Sequence, residues 1–227
     1  TQITVNPNPI TIISNLGSTY CEGDAFIVVT TSPPGGTLSG PGIDNFVFNP
    51  SDAGPGIHTI TYDVTNVYGC SDNTQTNVTV NASPTVSISL PDNEFCIDDD
   101  AENLEGNPSG GIFEGTGVLN NKFIPVNAGP GMHEITYTYI DANGCSGVGT
   151  MFVEVSEPLQ LEITGQNLIC FGENTGQASV TTTGGVPPYS YQWDDPALST
   201  SSTISDLSSG LYNLTVTDAW GCDETSS

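Results

Sequence analysis

The residues best placed to do chemistry in this 227-residue chain are six cysteines, Cys21, Cys70, Cys96, Cys145, Cys170 and Cys222. No Cys-x-x-Cys pair occurs among them, which argues against a zinc ribbon or a thioredoxin-type redox centre. Disulfides made in an oxidising, extracellular compartment are the chemistry they suit. A second concentration is acidic, with Asp92, Glu94, Asp98, Asp99, Asp100, Glu102 and Glu105 setting seven carboxylates within fourteen residues. Calcium takes about six to eight oxygens, which makes Asp92, Glu94, Asp98, Asp99, Asp100 and Glu102 a candidate calcium site. Neither EF-hand nor RTX spacing is present, so a solvated acidic loop is the competing reading, and no cofactor other than calcium is suggested. His58 and His133 have the inward parity of Ile60 and Ile135 and lack partner ligands, which reads as corner packing. No nucleophile stands with an aligned base, and no Gly-rich phosphate loop precedes a helix. The chain is not expected to be an enzyme.

Among the aromatics, Trp193 follows Tyr189 and Tyr191 on an expected third strand, where sandwich cores commonly hold a tryptophan. Tyr68 and Trp220 fall at expected hairpin tips and are the candidates for a ligand or junction contact. Asn66, Asp141 and Asp218 at those tips read as Asx-turn formers. Asn77-Val78-Thr79 and Asn213-Leu214-Thr215 satisfy the glycosylation sequon, a short and weak signal.

Charge removes whole classes of partner. There are 26 Asp and Glu residues against a single Lys, Lys122, for a formal charge of −25. Polyanions are bound by neutralising phosphates, so nucleic acid and anionic membrane surfaces are excluded. Only 12% of residues are charged, however, and Val, Ile, Thr, Tyr and Phe abound, as in a folded β protein. No apolar run approaches bilayer length, so no direct membrane insertion is expected. The start at Thr1, without a signal-like segment, reads as a mature or internal piece whose export signal lies elsewhere.

The elements that must position these residues come in repeats. Cys21 recurs as Cys96 and Cys70 as Cys145, both 75 positions on. The same offset carries Gly35-Gly36 onto Gly110-Gly111 and Ala53-Gly54-Pro55-Gly56 onto Ala128-Gly129-Pro130-Gly131. A diverged third copy holds Cys170, Gly184-Gly185 and Asp218-Ala219-Trp220-Gly221-Cys222. Thr4-Val5-Asn6 matches Thr79-Val80-Asn81, so residues 1–6 are expected to be the last strand of a preceding repeat. Repeats are then expected at 7–81, 82–156 and 157–227, the last truncated in its final strand. Ile60, Tyr62, Val64 and their counterparts alternate with polar residues at a period of two, and turn residues recur roughly every eight to twelve positions. The fold class expected is all-β, a tandem array of Ig-like (PKD-like) antiparallel β-sandwiches of about seven strands each.

Two disulfide schemes follow. One bridges within repeats, Cys21 with Cys70, Cys96 with Cys145 and Cys170 with Cys222, stapling modules small enough for a core alone to be marginal. In an Ig-like order, though, the first cysteine precedes strand B at one end while the second follows the last hairpin tip at the other. Strands of about eight residues separate those ends by roughly 25 Å, beyond disulfide reach. That order favours bridges across junctions, Cys21 with Cys145 and Cys96 with Cys222, leaving Cys70 and Cys170 for neighbours outside residues 1–227. The within-repeat scheme stays open at this point, with free thiols as the third alternative.

Cys170-Phe171-Gly172-Glu173-Asn174, Gly184-Gly185-Val186-Pro187-Pro188-Tyr189-Ser190-Tyr191-Gln192-Trp193 and Gly210-Leu211-Tyr212-Asn213-Leu214-Thr215-Val216-Thr217-Asp218 ending in Gly221-Cys222 resemble the SprB-type repeat of Bacteroidota gliding-motility adhesins. Cys21-Glu22-Gly23-Asp24 and the Ala-Gly-Pro-Gly stretches resemble the PKD-like modules that accompany it. The resemblance implies a secreted cell-surface protein on the bacterial outer surface, exported by type IX secretion and used in attachment or gliding. It supplies no catalytic residues. A non-catalytic structural or adhesive stalk is therefore the expected function, with neighbouring repeats as first partners and surface glycans or other cell-surface proteins beyond them. The alternatives are carbohydrate-binding or spacer modules of a secreted enzyme, or a self-assembling extracellular filament.

Overall fold

A computed structural model describes residues 1–166 and 174–227. The expectations that fall on Cys170, Phe171, Gly172 and Glu173 lie outside the described residues. The chain is all-β, with two four-residue helices, Pro50–Ala53 and Pro125–Ala128, among the described residues. Each helix opens on a proline, whose missing N–H is no loss at a first helical turn.

Alternation in sequence becomes alternation in burial. Along Gly56–Thr65, Ile60, Tyr62 and Val64 point inward while Thr59, Asp63 and Thr65 are exposed. This strand forms a long hairpin with Ser71–Asn81, in register from Gly56 opposite Val80 to Thr65 opposite Ser71. The sheet order is Thr19–Cys21, Ser71–Asn81, Gly56–Thr65, Thr37–Ser39, and a three-stranded sheet of Ile27–Val28, Val47–Phe48 and Ile43–Asp44 supplies Phe48 to the same core. The second span repeats the plan with Glu94–Phe95, Ser146–Val155, Gly131–Ile140 and Ile112–Gly115. The third is simpler, with Gln160–Gln166, Gly176–Thr183 and Thr203–Leu207 in one sheet and Ser190–Trp193, Leu214–Thr217 and Asp223–Ser226 in the other.

Among the described residues two pairings depart from the antiparallel rule. Thr19–Cys21 runs parallel to Thr79–Asn81, and Glu94–Phe95 runs parallel to Glu154–Val155. Each sets a first cysteine beside the far end of its own repeat's last strand, with Cys21 opposite Asn81. Residues 1–11 form no strand, although Thr4-Val5-Asn6 repeats the sequence of Thr79-Val80-Asn81.

Among the described residues three hydrophobic clusters share no residue. The first gathers Val29, Leu38, Phe48, Ile60, Tyr62, Val64, Val78 and Val80; the second centres on Phe95, Leu104, Phe123, Ile135, Val153 and Val155; the third on Val180, Trp193, Ile204, Leu207, Leu214 and Val216. Buried Tyr62 and Tyr137 each satisfy a hydroxyl that burial would otherwise penalise. The Tyr137 hydroxyl donates to the Pro108 carbonyl at 2.7 Å and accepts from the Gly111 N–H at 2.7 Å. Tyr62 does the same with Pro33 and Gly36. A Cβ on Gly36 would lie 2.3 Å from the Asp63 carbonyl oxygen, which is why that position is glycine.

The chain divides into two compact units, Thr1–Val86 with Thr138–Val148, and Ser87–Tyr137 with Gly149–Ser227. The hairpin end around Cys145 thus goes with the first unit. The second unit contains the second and third clusters.

Candidate functional site

Each first cysteine is held in a turn closed by the acid three residues on. The Cys21 N–H donates to Asp24 Oδ2 at 2.8 Å and the Asp24 N–H returns to the Cys21 carbonyl at 3.0 Å. Cys96 and Asp99 repeat this at 2.7 and 3.2 Å. Each second cysteine closes a hairpin tip governed by the residue four before it. Oδ1 of Asn66 accepts from the N–H groups of Tyr68 and Cys70, both at 3.0 Å. Asp141 accepts from Asn143 and Cys145, both at 2.9 Å, and Asp218 from Trp220 at 2.9 Å and Cys222 at 3.0 Å. Gly69, Gly144 and Gly221 take φ of 82°, 85° and 91°, the left-handed position such a tip requires.

These two kinds of turn meet in disulfides. Cys21 is bridged to Cys145 and Cys96 to Cys222, with S–S lengths of 2.01 and 2.07 Å and Cα atoms 5.4 Å apart in both. The parallel strand explains the partners. Cys21 lies beside Asn81, whereas Cys70 precedes the start of the same eleven-residue strand, Ser71–Asn81. At about 3.3 Å per residue the strand separates them by roughly 35 Å. A within-repeat bridge is out of reach, and the next repeat's tip is in reach. Cys70 is the free cysteine among the described residues.

Asp218 is the most heavily used of the tip residues, because its Oδ2 also accepts from the Val186 N–H at 2.8 Å. It is buried, so three N–H groups depend on one side chain. Replacing Asp218 by Ala is expected to lower stability by about 2–3 kcal/mol, the cost of orphaning donors that a carboxylate had satisfied. Asn66→Ala, at a more open tip with two such bonds, is expected to lose about 1 kcal/mol. Urea unfolding followed by circular dichroism measures both, and equal losses would contradict this ranking.

The segment before the first sandwich is seated on the Cys70 tip. Asn66 Nδ2 donates to the Pro7 carbonyl at 3.1 Å, and the Thr11 hydroxyl and N–H donate to Asp72 Oδ2 at 2.7 and 3.1 Å. The Thr11 hydroxyl, then the Thr11 N–H, hold the Asp72 carboxyl below its ordinary value. A depressed folded pKa means that this bond adds stability above the unfolded carboxylate range and is lost as pH falls through the folded value. Acidification is therefore expected to release residues 7–11 before the sandwich unfolds. Amide exchange of Thr11 across a pH series measures this, and exchange that changes only with global unfolding would refute it. The Asp195 carboxyl is likewise held low, chiefly by the Ser199 N–H and then by the Ser199 hydroxyl.

The remaining candidates fall in different places. Asp92, Glu94, Asp99, Asp100 and Glu102 line one shallow depression, while Asp98 lines a cleft beside Cys222 with Glu157, Asp223 and Glu224. Asp99 already serves Cys96, and Asp92 Oδ1 accepts from the N–H groups of Asn93 at 2.7 Å and Glu94 at 3.2 Å. Among the described residues no three His, Cys, Asp or Glu side chains converge as a metal site. Nε2 of His58 and His133 donates to the carbonyls of Gly54 and Gly129 at 2.7 and 2.8 Å, closing the Gly-Pro-Gly corners. Trp193 is in the third core. Tyr68 is 67% exposed, and Trp220 is half-buried. Sequence reasoning missed Asp24 and Asp99 as turn caps, although the Cys-x-x-Asp spacing at Cys21 and Cys96 was there to be read. No helix among the described residues is long and apolar enough to cross a membrane.

Comparison with solved structures returns chains of similar plan at low identity. A Ca2+-stabilized adhesin that helps an Antarctic bacterium reach out and bind ice is 14% identical over 97% of this chain and 72% of its own, with a TM-score of 0.37. The N-terminal eight Ig domains of Down Syndrome Cell Adhesion Molecule are 11% identical over 96% of this chain and 36% of their own, at 0.39. SGBP-B of the Bacteroides ovatus mixed-linkage glucan utilization locus, in complex with a mixed-linkage heptasaccharide, is 16% identical over 97% of this chain and 69% of its own, at 0.24. A search of curated proteins finds no match. The family comparison is specific and local: residues 163–198 match the SprB repeat, a span that includes Trp193 and stops short of Gly210–Cys222.

Proposed function

We propose that this chain is a non-catalytic stalk segment of a secreted bacterial surface adhesin, built from repeats at 7–81, 82–156 and 157–227 and exported by the type IX route for attachment or gliding. The observation that carries the reading is the pair of cystines joining the first-cysteine turn of one repeat to the hairpin tip of the next. Under tension the covalent path runs through those cystines, so the backbone between Cys21 and Cys145 is bypassed. The SprB match at residues 163–198 supports the placement on a cell surface. Carboxylates far outnumber cations, and their mutual repulsion keeps such segments from sticking laterally. Calcium bound at the acidic depression would have to compete with the N–H groups already held by Asp92 and Asp99, so calcium acts here as a screening counterion. Tyr68, exposed at its tip, is the residue through which a glycan or a neighbouring surface protein would be touched.

The pairing makes a sharp prediction. The loops closed by Cys21–Cys145 and Cys96–Cys222 overlap, so one backbone cut anywhere between those outermost cysteines leaves a single covalent piece. A protease site inserted after Leu90 and cleaved once is expected to give full-length mobility on a non-reducing gel and two fragments on reduction. Two fragments without reductant would remove the clamp and the stalk reading with it.

A further inference from the structure

Cys70 is free and half-buried, yet it occupies the repeat position at which Cys145 and Cys222 are each bridged to a Cys-x-x-Asp turn. Its tip is built as theirs are, with Asn66 in the place of Asp141 and Asp218. The preceding segment also comes up to the cysteine at Cys70 and at Cys222 through the same repeat position. Asn6, Asn81 and Ser156 hold one repeat position; the Asn6 carbonyl lies 3.7 Å from Cys70 Sγ, and Ser156 Oγ lies 3.4 Å from Cys222 Sγ. Pro9 and Pro84 hold another, and at the bridged junction Pro84 packs on Gly147 so closely that a Cβ there would lie 2.2 Å from the Pro84 carbonyl oxygen. At the bridged junction, too, Thr19–Cys21 reaches Cys145 by running parallel to Thr79–Asn81. Thr4-Val5-Asn6 has that tripeptide's sequence and is fully exposed in place beside Cys70, without a strand partner.

We propose that Cys70 is a covalent docking point for the Cys-x-x-Asp turn of a further repeat, whose strand pairs in parallel with Thr4–Asn6 and whose cysteine bridges Cys70 as Cys21 bridges Cys145. The bond forms by exchange. The Cys70 thiolate attacks the incoming cysteine's sulfur, held as a mixed disulfide with a small thiol or a thiol oxidoreductase; the new S–S bond forms as the old one breaks, and the carrier leaves as its thiolate. One disulfide is consumed and one made, so no other oxidant enters. The inference rests on the reading that repeats clamp one another, and its test separates the two.

The test uses the intact chain with both bridges in place and a synthetic peptide of residues Gly17–Ala25 whose cysteine carries thionitrobenzoate. Release of thionitrobenzoate gives the rate, and mass spectrometry locates the adduct. The peptide is expected to couple at Cys70 about tenfold faster than its Tyr20→Pro version, which lacks an N–H for strand pairing. Thr4→Pro in the chain, which removes the N–H equivalent to the one Thr79 donates to the Ser18 carbonyl, is expected to abolish the preference. Equal rates for the two peptides overturn the proposal, as does a symmetric Cys70–Cys70 dimer forming faster than the peptide adduct, since either marks an ordinary accessible thiol. The clamp reading fails separately, if Cys21–Cys145 is missing from a non-reducing peptide map.

Discussion

Replacing Cys21 and Cys145 together by serine is expected to lower the unfolding free energy by about 5 kcal/mol, because the bridge closes a loop of 124 residues. Cys96→Ser with Cys222→Ser, opening a loop of 126 residues, is expected to lower it by a similar amount. Domain stabilities run to about 5–15 kcal/mol, so either pair removes a large share of what holds its unit together. The loss is expected to act through the unfolded state, since the four cysteines sit in turns that Asp24, Asp99, Asp141 and Asp218 also hold by hydrogen bonds to the cysteine N–H groups. The folded variants should therefore keep the wild-type circular dichroism spectrum while their urea midpoints fall. The two loops share residues 96–145, and any shortfall from additivity in the quadruple variant measures how far one bridge already confines the ends that the other joins. Unchanged midpoints on reduction, or a disulfide peptide joining Cys21 to Cys70, would contradict the scheme.

How much of this was legible in the sequence differs from residue to residue. The offset of 75 between cysteines, the inward parity of Ile60, Tyr62 and Val64, and the core place of Trp193 all follow from patterns a single chain displays. Periodicity reports which face is buried, and these residues were read through it. The parallel strand Thr19–Cys21 was not legible, since three residues carry no period, and only its pairing with Thr79–Asn81 gives it a strand conformation. Thr4-Val5-Asn6 makes the same point in reverse. The tripeptide is a strand at 79–81, flanked by Gly56 and Ile57 on one side and Thr19–Cys21 on the other, and is not one at 4–6, where no neighbour supplies a ladder. The acidic stretch was legible as charge but not as role. Asp99 looks like a cation ligand in a list of carboxylates and is a turn cap once its N–H partner at Cys96 is known. Composition cannot distinguish an oxygen that is free from one already spent on the backbone.

The second large effect is expected at Trp193. Replacing it by Ala empties the middle of the third cluster, where the ring is 1% exposed against Val180, Ile204, Leu207, Leu214 and Val216. It also leaves the Ser201 carbonyl without the indole N–H that donates to it at 2.9 Å. Large-to-small changes of this kind cost about 3–5 kcal/mol. Amide exchange in Gly176–Thr183 and Leu214–Thr217 should accelerate by about two to three orders of magnitude. Because the first cluster shares no residue with the third, exchange in Gly56–Thr65 should stay as it is. Both tryptophans lie in the third span, so the indole fluorescence of the wild type reports on that span alone, and Trp220 remains as its reporter in the variant. The urea transition seen by fluorescence should then shift to lower concentration while the component of the circular dichroism transition belonging to the first span stays put, as independent cores require. If Gly56–Thr65 loses protection in step with Leu214–Thr217, the cores are one cooperative body. A chain of separately folded sandwiches would then no longer explain why each cysteine turn is tied to the following repeat's tip.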